Sequence, residues 1–173
     1  RKCEILLLHQ TPFVSAFFER MGVCFKSRRC PGEHQSKTAL KTQLSELGGE
    51  DNESEERCVK RLQSILGCLV WLTTRTRPDL AFSVSYSASQ LTRDLELCKL
   101  CVKHICQYLW ENFSLGLEYE CLPLSESSTH VYGDASFATE GGPSVSGYCV
   151  FKASEPDEDP RHLLIWGSKR QTI

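Results

Sequence analysis

The chain has 173 residues, of which 40% are hydrophobic and 24% are charged, so it holds enough apolar material for one ordinary domain or two small ones. Its formal net charge is −2 and its pI is near 6.2. Because there is no overall basic excess, any nucleic-acid-binding surface must be a local patch. The apolar run at residues 5–8 is far too short for a signal peptide or a membrane span. The chain starts in a strand-like run without Met, and we expect it to be a fragment.

The chain contains ten cysteines, and most of them lie inside apolar stretches. Such placement is typical of small buried hydrophobic residues in a reducing compartment. Cys98, Cys101, His104 and Cys106 offer an alternative, because thiolates and imidazole are zinc ligands. Their spacing on a single predicted helix does not match the usual two separated ligand pairs, so buried thiols are the preferred interpretation.

The N-terminal third combines a strand, a helix and a polar connector. Residues 5–8 predict a strand that stops before Pro12. Apolar residues from Phe13 to Met21 recur at helical spacing, and Gly22 favours a helix end. Residues 26–57 are polar and acidic without a sustained period, which indicates a solvated connector.

The middle third is predicted to be a compact helical subdomain. Apolar residues at 59, 62, 65, 66, 69 and 70 follow the periodicity of a helix with one buried face. Pro78 fits the first turn of a second helix, and a third helix is predicted from Asp94 to Glu111.

After Gly116 the apolar period changes from helical to alternating, and residues 122–128 have the composition of an inter-domain linker. Strands are predicted at residues 130–137, 146–152 and 163–168, with a turn at 141–143 and an acidic loop at 155–160. Three consecutive strands with short connections predict an antiparallel meander.

Several segments together resemble one family. The stretch LGCLVWLT at residues 66–73, followed by RTRPDLAF at 75–82, resembles the "GSLLYLT-x-TRPDIAFAV" motif of copia-type retrotransposon Pol proteins. KHICQYL at 103–109 and LGLEY at 115–119 are similar to that family's "RILRYLKGT-x-x-x-GL-x-Y". YGDASFA at 132–138, SGYCVF at 146–151 and IWGSKRQ at 165–171 resemble "YSDADWAG", "STSGYVFFL" and "ISWSSKKQ". Residues 5–23 resemble "I-x-LSQ-x-x-Y-x-x-x-LL-x-RFGM".

The resemblance implies an α+β fold, in which a helical thumb and connection subdomain precedes the N-terminal antiparallel strands of an RNase H-like domain. It places the end of the reverse transcriptase at residues 1–50, the thumb and connection region at 51–124 and an incomplete RNase H-like domain at 125–173. The complete protein would be an RNA-directed DNA polymerase with RNase H activity, with its polymerase carboxylates upstream. Strands 125–173 lack covering helices, so we expect them to be poorly folded or prone to aggregation alone.

By the resemblance, Asp134 is the first of several carboxylates that hold Mg²⁺ for RNase H cleavage. The next carboxylate would lie beyond Ile173, so the fragment alone is expected to be inactive. An Asp after a Gly is otherwise usually a turn or edge residue. Gly133, Ser136 and Phe137 depart from the family motif, which leaves open an alternative: a decayed or host-adopted module that binds nucleic acid or protein without catalysis.

Seven basic residues are candidates for sequence-independent phosphate contacts: Arg57, Lys60, Arg61, Arg75, Arg77, Lys99 and Lys103. The alternative is that these charges only solubilise exposed helix faces. Arg77-Pro78-Asp79 has its own structural alternative, in which Pro78 and Asp79 start a helix. The implied partners are an RNA/DNA template-primer or RNA–DNA hybrid and the remainder of the Pol polyprotein, without a membrane. The implied location is the cytoplasm, within virus-like particles, with a nuclear stage.

Overall fold

The protein is a mixed α+β molecule with two antiparallel sheets in a computed structural model that describes residues 5–21, 54–120, 127–137, 144–153 and 162–171. The described elements are, in chain order, β1 Ile5–His9, α1 Thr11–Met21, α2 Glu55–Thr73, a 3-10 turn Pro78–Leu80, α3 Ala81–Gln90, α4 Leu95–Glu111, β2 Gly116–Glu120, β3 Ser128–Ser136, β4 Val145–Ala153 and β5 His162–Arg170.

The helices pack around one hydrophobic core. The buried face of α2 repeats every three or four residues, as the sequence predicts, and α1, α3 and α4 contribute to the same cluster. The core residues of this cluster are Val14, Phe17, Phe18, Cys58, Leu62, Leu66, Leu69, Leu72, Leu80, Val84, Cys98, Val102, Ile105, Cys106 and Leu109. Because α1 shares this core, the segment assigned to residues 1–50 and the helical region after it form one packing unit in their described parts. We call residues 5–21 and 54–120 the helical unit.

The helix boundaries have local causes. The carboxylate of Asp94 accepts a hydrogen bond of 3.0 Å from the backbone N–H of Leu97, which caps α4 at its N-terminus. Pro78 begins the 3-10 turn, where its missing N–H costs nothing, and α3 continues from Ala81. The three helices predicted in the middle of the chain are confirmed, with α2 longer than predicted at both ends.

Strand β1 is confirmed, but the sequence analysis did not predict its partner β2. The two strands pair antiparallel, with Ile5 opposite Glu120 and His9 opposite Gly116. A side chain at Gly116 would collide with the backbone carbonyl of Leu8, so glycine allows the close approach at this end of the pair. This sheet brings the start and the end of the helical unit together.

The predicted meander is confirmed as a three-stranded antiparallel sheet in the order β3-β4-β5. Tyr132, Cys149 and Trp166 lie opposite one another across the three strands and share one face of the sheet. Val131, Val150 and Ile165 are aligned in the same way on the other face. The ladder between β4 and β5 is irregular between Val150 and Phe151.

The sheet contacts the helical unit through β5. The indole Nε1 of Trp166 donates to the carbonyl of Thr73 at the end of α2, at 2.5 Å. The hydroxyl of Tyr119 on β2 donates to the carbonyl of Leu163 at 2.6 Å, and the Tyr119 ring stacks on His162 with 5.7 Å between centroids. Two hydrogen bonds with fixed geometry therefore join the units.

Four sequence predictions fall on residues outside the described ranges: the helix end at Gly22, the turn at 141–143, the acidic loop at 155–160 and most of the polar connector at 26–57. Ser54 precedes α2, so residues 55–57 of that connector are helical. The linker at 122–128 is described only from residue 127. Among the described helices, none is long and apolar enough to cross a membrane.

Candidate functional site

Asp134 lies on the exposed part of β3. It pairs with Gly147 on β4 and shares the sheet face of Tyr132, since residues two apart on a strand point the same way. Its carboxylate accepts a hydrogen bond of 2.8 Å from the backbone N–H of the next residue, Ala135. Its side chain is accessible to an approaching ligand.

A magnesium site needs more than this one carboxylate. Within the described ranges, no three or more His, Cys, Asp or Glu side chains are arranged to hold a metal ion. Mg²⁺ takes oxygen ligands in near-octahedral geometry and is usually shared between carboxylates and substrate phosphates. Asp134 could supply one such oxygen, but the described residues do not fit a complete Mg²⁺ site, and we derive no catalytic step through the ion.

On α4, Cys98 and Cys106 are buried thiols and Cys101 is half-buried, in agreement with the preferred interpretation of the sequence. Burial, with Cys101 and Cys58 nearby, raises the pKa of Cys98 to about 11. Burial raises the pKa of Cys106 to about 12. The cysteines within the described residues are all free.

Most of the candidate basic residues lie at one end of the helical unit. Arg57, Lys60 and Arg61 are exposed on the first turns of α2. Lys99, near the start of α4, hydrogen-bonds Glu96 at 2.7 Å, and this bond is the main reason that the pKa of Lys99 is raised. The thiol of Cys58 on α2 also contributes to that raised pKa, which places Lys99 beside the start of α2. Cations from two helices therefore approach one another here.

Neighbouring acids offset part of this positive charge. Lys60 forms an ion pair of 2.7 Å with Glu56, one turn earlier on α2. Glu55 also lies in that first turn. Both ion pairs, Lys60–Glu56 and Lys99–Glu96, join neighbours on one helix and add little stability at an exposed surface. They can open to contact a phosphate.

Arg75 and Arg77 lie in the turn after α2, but their environments differ completely. Arg75 is exposed, whereas Arg77 is only 2% exposed. Lys103, on the third turn of α4, is half-buried. Arg75 and Lys103 can therefore reach solvent, while Arg77 cannot.

All three nitrogens of the Arg77 guanidinium donate hydrogen bonds to protein groups. Its Nε and Nη2 donate to the two carboxylate oxygens of Asp79, at 3.0 Å and 2.7 Å. Its Nη1 donates to the carbonyl of Asn112 at 2.8 Å, and its Cζ lies 5.6 Å from the centroid of the Tyr108 ring. Burial, together with the charge of Asp79, raises the pKa of Tyr108. We call Arg77, Asp79, Tyr108 and Asn112 the arginine lock.

The arginine lock favours the structural alternative for the Arg-Pro-Asp segment. A bidentate ion pair, in which both oxygens of one carboxylate accept from a planar guanidinium, is the strong form of ion pair. The carbonyl of Asn112 lies at the C-terminus of α4, where a positive charge is favourable. The lock thus fastens the loop after α2 to the end of α4, and Arg77 is not free to contact a phosphate.

The sequence analysis missed the residues that join the two units. Thr73 and Trp166 each lie in a motif, but their contact depends on tertiary structure. Tyr119 lies in the alternating stretch after Gly116, and this alternation was the one available signal for β2.

No protein-family model, curated protein or solved structure matches this chain. The architecture itself is a helical unit joined to a three-stranded antiparallel meander.

Proposed function

We propose that this chain is a segment of a copia-type retrotransposon Pol polyprotein, running from the end of the reverse transcriptase into an RNase H-like domain. In the complete protein, the parent enzyme copies RNA into DNA and cleaves the RNA strand of the hybrid. The segment contributes backbone contacts to the template-primer and one carboxylate of the RNase H site. The proposal carries with it a cytoplasmic location within virus-like particles and a nuclear stage.

The contact between Thr73 and Trp166 carries this proposal. Thr73 ends the segment that resembles "GSLLYLT", and Trp166 lies in the segment that resembles "ISWSSKKQ". A family resemblance spread over separate motifs gains weight when two distant motifs meet, because unrelated short matches have no reason to be neighbours. The hydrogen bond of 2.5 Å between them supports reading both motifs as parts of one folded ancestor.

In this proposal the helical unit binds the sugar-phosphate backbone. The residues assigned to it are the accessible cations Arg57, Lys60, Arg61, Arg75, Lys99 and Lys103. Phosphate contacts of this kind are independent of base sequence, as a polymerase that copies any template requires. Arg77 contributes indirectly, because the arginine lock positions the loop that carries Arg75.

A binding measurement tests the role of the helical unit. Fluorescence anisotropy with a labelled RNA–DNA hybrid gives the affinity of the whole chain as a function of salt concentration. Each phosphate contact contributes about 0.9 to the slope of log K against log salt on B-form DNA, so the triple variant Arg57→Ala, Lys60→Ala, Arg61→Ala should lower that slope by about 2 to 3.

The control variant removes the same total charge elsewhere, through Arg20→Ala, Lys169→Ala and Arg170→Ala. If both triple variants weaken binding equally, only net charge matters and the assigned surface is wrong. If the unmodified chain does not bind the hybrid at all, this part of the proposal fails.

The alternative is a decayed or host-adopted element without catalysis, and the unusual residues around Asp134 are the observation that favours it. The genomic sequence on both sides of the chain separates the two. An upstream Tyr-x-Asp-Asp motif and downstream RNase H carboxylates in one open frame favour the enzyme, and stop codons or host exons favour the alternative. In a complete enzyme, Asp134→Asn should abolish Mg²⁺-dependent RNA cleavage while hybrid binding persists.

A further inference from the structure

Three free thiols lie together where α2 and α4 begin. Cys58 on α2 and Cys98 on α4 are 3% and 0% exposed and belong to the same core cluster, and Cys101 lies one turn further along α4, half-buried. Burial is the main cause of the raised pKa of Cys98, and the negative charges of Cys101 and Cys58 add to it, so both of those sulfurs lie near that of Cys98. We call these three residues the thiol cluster. It has no part in the proposed function.

Cys98 has two neighbouring thiols, and helix geometry distinguishes the two bridges that it can form. Residues three apart on one helix have Cβ atoms about 5 to 6 Å apart, whereas a disulfide holds its Cβ atoms about 3.5 to 4.5 Å apart. A bridge from Cys98 to Cys101 would therefore distort α4. Facing residues on two packed helices have Cα atoms about 3.5 to 5.5 Å apart, which overlaps the range of about 4.4 to 6.8 Å found in disulfides. The fold thus accommodates the bridge from Cys98 to Cys58.

The surroundings of Cys58 are typical of a reactive thiol. The ammonium of Lys99 hydrogen-bonds Glu96, which is the main cause of its raised pKa, and the thiol of Cys58 contributes as a second partner. The exposed cation Arg57 adjoins Cys58 along the chain, and reactive cysteines lie in such electropositive surroundings. Cys58 also lies in the first turn of α2, where the Ser54 side chain makes no capping hydrogen bond. Because helix ends open locally, an oxidant reaches Cys58 when this turn opens.

We propose that Cys58 and Cys98 are a redox pair, which a two-electron oxidant such as hydrogen peroxide converts into a disulfide that joins α2 to α4. The sulfur of Cys58 attacks one peroxide oxygen, the O–O bond breaks, and a sulfenic acid and one water result. The sulfur of Cys98 then attacks the sulfur of Cys58, the S–S bond forms, and the hydroxyl group leaves with the Cys98 proton as a second water. The two thiols lose two electrons, and peroxide is reduced.

The bridge has a consequence for the helical unit. It closes the chain between residues 58 and 98, and a disulfide typically shifts the unfolding equilibrium towards the folded state by about 30- to 1,000-fold. Transient disulfides in a reducing compartment serve redox sensing, so a free pair that closes under oxidation is consistent with the thiols of this chain. The proposal does not depend on nucleic-acid binding, and its tests use chemistry and unfolding alone.

Mass spectrometry identifies the pairing in the whole chain, oxidised with hydrogen peroxide while it is folded. The remaining thiols are blocked, and trypsin then places the cysteines of the thiol cluster in three separate peptides, residues 58–60, 94–99 and 100–103. We expect peptide 58–60 to be linked to peptide 94–99, and reduction should release both. A link between 94–99 and 100–103 instead would overturn the bridge between helices. A link that forms only in urea would mean that the folded chain holds no redox pair.

Urea unfolding gives a second measurement. The oxidised chain should have a higher urea midpoint than the reduced chain, and Cys58→Ala should abolish that difference. The control Cys106→Ala removes another buried thiol from α4 and should keep the full difference, whatever each substitution costs in stability. An unmodified chain with the same midpoint in both redox states contradicts the proposal, and so does a difference that survives in Cys58→Ala.

Discussion

Replacing Asp79 with Ala should destabilise the fold far more than its partly exposed position suggests. The guanidinium of Arg77 is 2% exposed, and both of its bonds to a carboxylate end on Asp79. Without Asp79, a positive charge stays buried with only the Asn112 carbonyl and the Tyr108 ring beside it. Removing one partner of a buried ion pair costs about 3 to 5 kcal/mol, and because the Asp79 side chain is 32% exposed we expect the lower end, about 3 kcal/mol.

Urea unfolding followed by circular dichroism measures this change. A loss of about 3 kcal/mol corresponds to about a hundredfold in the unfolding equilibrium. The control Glu56→Ala breaks the exposed pair with Lys60 and should cost about 0.5 kcal/mol or less. Adding Arg77→Met to Asp79→Ala removes the stranded charge and should recover part of the loss. Equal effects of Asp79→Ala and Glu56→Ala would refute the reasoning.

Three further substitutions and one change of pH test other parts of the fold. Trp166→Phe keeps an aromatic side chain but removes the donor to Thr73, so it should cost about 1 to 2 kcal/mol and speed proteolysis of β5. Gly116→Val should disrupt the β1–β2 pair and lower the urea midpoint, because its side chain meets the Leu8 carbonyl, whereas Gly67→Ala has open space and should stabilise α2 by about 0.5 to 1 kcal/mol. The free energy of unfolding should fall as pH rises from 9 towards 11, because the unfolded chain loses the proton that Cys98, with its pKa of about 11, keeps when folded. A chain whose stability is flat over that pH range would contradict the last expectation.

Local patterns in the sequence were sufficient for most elements. Periods of three to four residues mark α2 and α4, because one face of each helix packs on its neighbours, and alternation marks β3, β4 and β5. The helix starts at Pro78 and Asp94 are likewise local. Pairing of β1 with β2 was not predictable in this way, since His9 and Gly116 are close only after the helices between them have packed.

Arg77 shows the same limit for a candidate site. It is separated from Arg75 by one residue, and both count equally as cations in the sequence. What distinguishes them is the position of Asn112 and Tyr108 at the far end of α4, which only the tertiary structure reveals. The accessible cations of α2 and α4, by contrast, were predictable because they lie on the polar faces of amphipathic helices.

The position of Asp134 follows from how the two units are joined. The helical unit contacts the meander at β5, and β3 lies two strand spacings away, about 10 Å across the sheet. On the face that carries Trp166, the sheet is therefore in contact with the helical unit at one side and open at the other, where Asp134 lies. A carboxylate displayed on an open face can accept ligands only from residues or a partner that approach that face. Because no second carboxylate among the described residues meets it there, any metal site at Asp134 must be completed from outside them.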